Sequence, residues 1–174
     1  MNVPVSTTLD TRYSDPAASA ITWEETSRIL DSSEIFLVTT VRSDGRPHST
    51  PVVAVLVDGA IAFTTGPGEQ KHLNLQGNPH VLLTAGCSHW DHGIDVIIEG
   101  DALLATDEET LARVAAAFTK RWDGRWQWKV SNGGLAPADH DDAGLAEVFL
   151  VRPVKAFAHA KGDPFGATTH KFRP

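Results

Sequence analysis

The chain has 174 residues, of which 41% are hydrophobic and 21% are charged, and its formal net charge is −7. This composition is ordinary for one globular domain with a full core, and the negative charge argues against a nucleic acid or an anionic membrane surface as partner. The sequence contains no apolar run that approaches the roughly 18 residues of a membrane span, and no secretory signal pattern. Its single cysteine, Cys87, excludes an internal disulfide and predicts a cytoplasmic location.

The N-terminal part predicts an arm followed by one helix. Residues 1–20 lack periodicity and predict a flexible, loosely ordered arm, so that residues 21–174 form the single domain. Thr22 and Glu25 have the spacing of a capping box, which begins a short helix that ends at residues 31–33. The buried side of this helix is predicted to hold Trp23, Ile29 and Leu30.

Residues 34–65 predict a three-stranded antiparallel meander. The strands are rich in β-branched and aromatic residues, and Asp-Gly pairs separate them. They are expected at residues 34–41, 47–57 and 60–65, with turns at Asp44-Gly45 and Asp58-Gly59. Pro51 lies inside the middle strand and predicts an edge position or a bulge there, because proline cannot donate a ladder hydrogen bond.

The second half predicts further strands around one amphipathic helix. A short strand is expected at residues 81–85 and a long one at residues 93–105, bent at Glu99-Gly100-Asp101. Thr106 and Glu109 have the spacing of a second capping box, and the helix that follows repeats apolar residues at helical spacing. The repeating residues are Leu111, Val114, Ala115, Phe118 and Trp122.

Beyond that helix the sequence predicts a loop, two strands and a tail. Residues 123–142 are expected to form the loop, and residues 145–151 and 154–159 a pair of strands around Arg152-Pro153. The tail from Lys161 carries no predicted element. Six or seven strands joined by tight turns, with helices inserted rather than alternating, indicate a mainly β fold, an antiparallel β-barrel with accessory helices.

The segment from Thr64 to Lys71 has the chemistry of a phosphate site. It is predicted to be a strand end, a turn with two glycines and the first turn of a helix at residues 69–76. Free backbone N–H groups and the helix dipole attract an anion at such a turn, while Lys71 adds a full charge and Thr64 and Thr65 add hydroxyls. The spacing matches no Walker or Rossmann motif, so an ordinary connection with a solvated lysine is the alternative.

Several short motifs follow one another in a characteristic order. They are Thr39-Thr40-Val41, Asp44-Gly45-Arg46-Pro47-His48, Phe63-Thr64-Thr65, Lys71, Asn78-Pro79, Val96-Ile97-Ile98-Glu99-Gly100, Arg152-Pro153 and a short aromatic C-terminus. In this order the chain resembles the pyridoxamine 5′-phosphate oxidase-like flavin and deazaflavin oxidoreductases. The resemblance covers residues 22–174 and implies a split β-barrel of the FMN-binding type.

The resemblance also implies a homodimer with two cofactors in clefts between its subunits. One strand should run along the isoalloxazine or deazaflavin ring and contact its polar edge through backbone groups. The strand residues are Pro47, His48, Ser49, Thr50, Pro51, Val52 and Val53. The residues assigned to the phosphate are Lys71, Thr64, Thr65 and the neighbouring Gln70. The residues that should close the cleft from the second subunit are Trp126, Lys171 and Phe172.

The departures from the family pattern concern charge. Thr50 and Val55 stand where pyridoxamine phosphate oxidases carry an arginine and a lysine for the flavin phosphate, and Glu69-Gln70-Lys71 replaces Ser-Arg-Lys. Cations are lost and a carboxylate is gained beside the phosphate. The chain is therefore not expected to oxidise pyridoxamine phosphate. It resembles the branch whose members often use the deazaflavin coenzyme F420, and FMN is the alternative cofactor.

The predicted activity is hydride transfer from a reduced flavin or deazaflavin to a small conjugated organic substrate, which requires no protein nucleophile. His48 and His170 are candidate proton donors because histidine titrates near neutrality, although a surface or hydrogen-bonded histidine is the commoner role. The alternative function is non-catalytic binding of a flavin, F420 or a haem-like tetrapyrrole. Haem chemistry would require one histidine to ligate iron.

Two further clusters in the sequence contain residue types that bind metals or line ligand sites. Cys87, His89 and His92 lie close together, but no second set with structural-zinc spacing accompanies them, so no metal is predicted. Trp126 and Trp128 lie in the predicted loop and line either a ligand site or the dimer interface. The other cations available to an anionic cofactor are Lys161, Lys171 and Arg173.

Overall fold

The computed structural model describes residues 3–139 and 144–173. The first two residues of the predicted arm, the end of the predicted loop at residues 140–142 and the C-terminal Pro174 lie outside the described residues. The helices are Trp23–Ser32 (α1), Gln70–Gly77 (α2) and Glu108–Arg121 (α3), with a short 3-10 turn at Thr11–Tyr13. The strands are Ser6–Leu9 (β1), Ile35–Val41 (β2), Pro47–Val57 (β3), Ala60–Thr65 (β4), His80–Ala85 (β5), Ile94–Ala105 (β6), Trp128–Ser131 (β7), Gly134–Pro137 (β8), Glu147–Ala160 (β9) and Gly166–Lys171 (β10).

Six of the strands close into a barrel. Their order is β9-β4-β3-β2-β5-β6 and back to β9, and every pair is antiparallel. β10 pairs with the second half of β9 outside this ring, and β1 pairs with β10. The mainly β, split-barrel fold predicted from the sequence is confirmed.

Alternation of side chains along the strands builds the core. In β2, Phe36 and Val38 are buried while Ile35 and Leu37 are exposed, as expected for a strand with one face in the barrel. The buried faces of the barrel strands together form one apolar cluster. A second cluster lies beneath α3, whose apolar stripe covers the outside of the barrel.

The helix ends follow the predicted caps with one correction. Thr22 and Glu25 form the capping box of α1, and the Glu25 N–H donates to Thr22 Oγ1 at 3.2 Å. α3 begins one residue later than predicted, because Asp107 rather than Thr106 accepts the hydrogen bond of the Thr110 N–H, at 2.8 Å. Over the described ranges, no helix is long and apolar enough to cross a membrane.

Both ends of the chain contain a strand that the sequence did not predict. β1 lies in the predicted arm and β10 in the predicted tail, and the two pair with each other. The buried positions of β10 include Thr168 and His170, so no apolar alternation marks the strand. Thr7 Oγ1 lies 2.9 Å from His170 Nδ1, and Thr26 Oγ1 lies 3.0 Å from His170 Nε2. The predictions of an unstructured arm and of a tail without elements are wrong at these strands.

The predicted break at Arg152-Pro153 is absent, and β9 runs through it as one strand. Residues 147–151 of β9 pair with β4, residues 155–160 pair with β10, and the proline lies where the neighbour changes. Pro153 also pairs with Gly100 of β6 at the irregularity in that ladder, a position where a residue without an N–H is tolerated. The register between β9 and β6 shifts at Glu99/Gly100, which confirms the predicted bend.

The predicted loop at residues 123–142 contains the small hairpin β7–β8. Asn132 and Gly133 form its two-residue turn with φ of 45° and 76°, the positive values that an Asn-Gly turn favours. The loop prediction is therefore wrong over these strands. The tryptophans, glycines and proline in this segment hide the short alternation of apolar and polar residues in the two strands that the turn connects.

β3 and β4 separate partway along their length. They pair only where residues 54–57 of β3 face residues 60–63 of β4. Residues 47–53 of β3 pair with β2 on one edge, and among the described residues no strand pairs with their other edge. Pro51 lies on this open edge, which confirms the edge position predicted for it. This separation of β3 from β4 is the split in the otherwise closed barrel.

His170 predicts how the stability of the fold depends on pH. The side chain is fully buried, and burial lowers its pKa below the ordinary value of about 6.5. The unfolded chain therefore binds this proton at a higher pH than the folded chain does. This titration does not lower the free energy of unfolding above about pH 6.5, and it lowers it as the pH falls through that value. We expect the free energy of unfolding in urea to fall more steeply on acidification in the wild type than in His170→Gln, and equal slopes would contradict this assignment.

Candidate functional site

A groove of about 350 Å³ opens where β3 and β4 separate. Its walls come from β2 and β3, from the end of β4 with the start of α2, and from the segment before β7. The lining residues are Ile35, Pro51, Val52, Val53, Thr64, Lys71 and Trp126. Six of these seven, all except Ile35, belong to the cofactor site predicted from the sequence, so the fold brings residues from distant parts of the chain to one place.

Lys71 places an ammonium group in this groove. It lies in the first turn of α2, and its side chain is only 8% exposed. Its Nζ donates to the carboxylate of Glu69, whose side chain is 53% exposed. This hydrogen bond is the main cause that lowers the pKa of Glu69, so the carboxylate is ionised at neutral pH. The two side chains form an ion pair.

The turn before α2 makes more hydrogen bonds within itself than the sequence predicted. The Gly66 N–H donates to Glu69 Oε1 at 2.7 Å, and the Gly68 N–H donates to His72 Nδ1 at 3.2 Å. Thr65 is 2% exposed, and its hydroxyl donates to the Gly66 carbonyl at 3.4 Å. Two backbone donors and one of the two hydroxyls that the sequence assigned to a phosphate are therefore engaged within the turn.

A chain of polar side chains beneath α2 holds that helix against the barrel. Gln70 Nε2 donates to Asn74 Oδ1 at 2.8 Å, and Asn74 Nδ2 donates to Thr40 Oγ1 at 2.8 Å. Asn74 and Thr40 are buried, so loss of either partner would leave an unsatisfied polar group away from water. Gln70, predicted as a cofactor ligand, thus contacts the support of the helix that carries Lys71 and does not line the groove.

Trp126 forms an aromatic wall of the groove. It is 37% exposed, and its ring lies 5.8 Å from that of Trp122 and 6.0 Å from that of Phe118. Trp128 lies beside it at 6.1 Å but packs against the apolar cluster beneath α3. The structure therefore separates the two tryptophans that the sequence treated together: Trp126 lines the groove and Trp128 packs against the core.

The rest of the predicted ring strand faces other surfaces. Pro47 lines a separate cavity of about 560 Å³ on the outside of the barrel, and Ser49 accepts a hydrogen bond from β2 at 3.1 Å. His48 and Thr50 are half-buried and alternate with them on the other face of β3. Nδ1 of His48 is buried and has no hydrogen-bond partner in the described part of the chain. From this strand only residues 51–53 reach the groove.

The predicted tail residues do not reach the groove of their own chain. Phe172 is 7% exposed and packs edge-on against an indole ring of α1 at 4.9 Å, so it belongs to the barrel core. Lys171 is exposed at the end of β10. His170 is enclosed by two hydroxyls and is not placed to donate a proton in the groove. Lys161 pairs with Asp95 at 2.9 Å, and that hydrogen bond raises the pKa of Lys161.

The loop between β5 and β6 gathers potential metal ligands on the surface. The ligand atoms of His89, Asp91 and His92 lie within 4.8 Å of one another, and all three residues are exposed. Asp91 Oδ1 lies 2.7 Å from His92 Nδ1, and Cys87 Sγ points at the His92 carbonyl at 3.5 Å. None of these residues lines the groove, and the absence of a metal stays a prediction.

Two residues of the site escaped the sequence analysis. Ile35 pairs with Val53 across the β2–β3 ladder and is 53% exposed. The register of β2 against β3, together with the outward face of Ile35, is the sequence signal that could have identified it. Glu69 was noted only as a departure from a family motif. The spacing of Glu69 and Lys71 puts the two side chains within reach of each other but does not determine the direction of either one.

The groove offers groups for binding and orientation. Its described lining supplies one ammonium, one hydroxyl, one indole and apolar side chains, and the open edge of β3 adds backbone hydrogen-bonding groups. None of these lining residues is a nucleophile paired with a base. The described lining can therefore bind and orient a ligand but contributes no nucleophile–base pair of its own.

Comparison with known proteins identifies the family. The sequence profile described as Pyridoxamine 5′-phosphate oxidase matches residues 22–160, well over half of the chain. A search of curated proteins found no match.

The solved structures that are similar to this one include the following three. The first is conserved hypothetical protein Rv2991 from Mycobacterium tuberculosis, with 22% identity and a TM-score of 0.63 over 78% of this chain and 82% of that chain. The second is a heme binding protein from Mycobacterium smegmatis, with 17% identity and a TM-score of 0.62 over 80% of this chain and 54% of that chain. The third is an F420 reductase, with 22% identity and a TM-score of 0.53 over 75% of this chain and 94% of that chain. These likenesses show a shared fold, and the profile match shows that the chain belongs to the pyridoxamine 5′-phosphate oxidase-like family of split β-barrel proteins.

Proposed function

We propose that the chain is a flavin- or deazaflavin-dependent oxidoreductase that transfers a hydride to a small conjugated organic substrate. F420 is the preferred cofactor and FMN is the alternative. The observation that carries the proposal is the groove, in which a nearly buried ammonium group and an indole ring lie along an open strand edge. The family membership and the likeness to an F420 reductase support it.

The residues of the groove fit a flat ring with an anionic side chain. The open edge at residues 51–53 offers backbone groups to the polar edge of the ring, and Lys71 with Thr64 offers a cation and a hydroxyl to the anion. A volume of about 350 Å³ lies within the range of small-molecule sites. A bound cofactor would supply the hydride chemistry, while these residues bind it, orient it and exclude water from one side.

The proposed assembly is a homodimer in which the second subunit covers the groove. Ile35, Leu37 and Leu82 lie on the outer faces of β2 and β5 and expose 53%, 47% and 39% of their surfaces. Exposed apolar side chains that cluster on one face are typical of an interaction surface. Because Ile35 also lines the groove, a partner packed on this face would close the groove on that side.

Leu37→Glu tests this assembly. A carboxylate on the apolar face would lose its hydration in the interface without gaining a partner, so the variant is expected to sediment as a monomer and to bind cofactor more weakly. Phe165→Glu is the control, because Phe165 is equally exposed but lies in the connection between β9 and β10. Sedimentation velocity and cofactor titration measure both effects. A Leu37→Glu protein that remains dimeric would contradict the proposed interface.

The function itself is tested by titrating F420 and FMN separately into the cofactor-free protein and following their fluorescence. We expect F420 to bind, and we expect its reduced form to be oxidised when a conjugated acceptor is added. Failure of both cofactors to bind would contradict the proposal. Tight binding without turnover over a panel of acceptors would favour a binding protein instead.

The second candidate is non-catalytic binding of a flavin, F420 or haem. The likeness to a heme binding protein agrees with this candidate. Haem added to the protein should then give a Soret band, and its absence would exclude haem from this candidate.

A further inference from the structure

The carboxylate of Glu69 accepts hydrogen bonds from two donors beside the groove that could otherwise bind an anion. Its Oε1 accepts the Gly66 N–H at 2.7 Å, and its Oε2 accepts a hydrogen bond from Lys71 Nζ. A backbone N–H from a glycine turn and an ammonium from the following helix are the two kinds of donor that a phosphate group uses. The chain therefore satisfies both donors with a carboxylate of its own.

This contact determines the charge that an incoming anion meets. The charges of Glu69 and Lys71 sum to zero, and Lys71 is the one charged side chain in the described lining of the groove. An anion that approaches Lys71 must displace the carboxylate or lie beside it. Repulsion between the carboxylate and the anion increases with the charge of the anion, and partial burial of the site reduces the screening by water.

We propose that Glu69 is a specificity-determining residue, which disfavours a dianionic phosphomonoester and favours a ligand whose anchoring group carries one negative charge or none. The inference rests on the proposed cofactor function of the groove. A phosphomonoester such as that of FMN carries about −1.5 to −2 charge near pH 7, because its second pKa is near 6. A phosphodiester, as in F420, carries a single charge and therefore meets less repulsion from Glu69.

The test compares FMN with riboflavin, which has the same ring and no phosphate. Glu69→Gln keeps an oxygen that can accept the Gly66 N–H and removes only the charge. We expect this variant to bind FMN more tightly than the wild type by about tenfold or more, with riboflavin affinity unchanged. Glu69→Ala should also bind FMN more tightly than the wild type and leave the riboflavin affinity unchanged. Agreement between the two variants would show that the loss of the charge, and not the new amide group, causes the effect.

Glu108→Gln is the matched control. Glu108 is exposed in the first turn of α3, outside the groove, so its variant removes the same net charge and should leave both affinities unchanged. A ratio of FMN to riboflavin affinity that is the same in the wild type and in Glu69→Gln would overturn the inference and leave cofactor binding in the groove intact. If riboflavin, FMN and F420 bind to none of these proteins, the proposed function fails and the inference falls with it.

Discussion

Lys71→Met is expected to weaken the binding of a phosphorylated cofactor by about 1.5–3 kcal/mol, the range for a hydrogen bond to a charged group. Methionine retains an apolar stem beside the groove and removes the ammonium group. The side chain of Lys71 is 8% exposed, so solvent screens its charge less than that of a surface lysine. Fluorescence titration with F420 and with FMN measures the change in affinity.

The neighbouring Glu69 enlarges the effect of that single substitution. Once the ammonium is gone, the carboxylate faces the phosphate without compensation, so the variant loses an attraction and gains a repulsion. The double variant Glu69→Gln/Lys71→Met removes both charges, and comparison of all four proteins isolates the coupling between the two side chains. We expect the double variant to bind the cofactor more tightly than Lys71→Met alone.

Lys155→Met is the control for the loss of a paired lysine. Nζ of Lys155 lies 3.2 Å from Glu99 Oε1, as part of an ion pair between β9 and β6, and neither residue lines the groove. Its variant should bind cofactor as the wild type does. If Lys71→Met also binds with wild-type affinity, Lys71 has no role in holding the phosphate.

Gly100→Ala is expected to lower the free energy of unfolding by about 1–3 kcal/mol, the usual cost of overpacking a tight site. A methyl group at this position would collide with the carbonyl oxygen of Arg152 and lie 2.9 Å from Val151 Cγ1. Both atoms belong to β9, at the bulge where its register with β6 shifts. Because one of them is backbone, the strand itself must move, and urea unfolding will report the loss.

Gly77→Ala is the matched control for adding a methyl group. Gly77 is the last residue of α2, and a Cβ built there meets no atom within 4 Å. Alanine has the higher helix propensity, so a change of less than about 1 kcal/mol, in the stabilising direction, is expected. Equal stability of the two variants would mean that the bulge at Gly100 accommodates a side chain freely.

The sequence by itself determined most of the local elements of this protein. The capping box at Thr22, the Asp-Gly turns, the apolar stripe of α3 and the bend at Gly100 are signals contained within a few neighbouring residues, and the structure confirms them. The order of these motifs also indicated the family. β1 and β10 were missed because polar pairs such as Thr7–His170 hold them, and such pairs leave no apolar period in either segment.

Only the tertiary structure decided which residues share the groove. Alternation along a strand predicts the face on which a side chain lies, but the groove exists because β4 leaves β3 and continues its pairing with β9, and that exchange depends on distant parts of the chain. It brings Ile35 and Trp126 to the same groove and leaves Phe172 in the core. The contact between Glu69 and Lys71 likewise follows from the direction that the turn and α2 impose on both side chains, which their spacing alone does not contain.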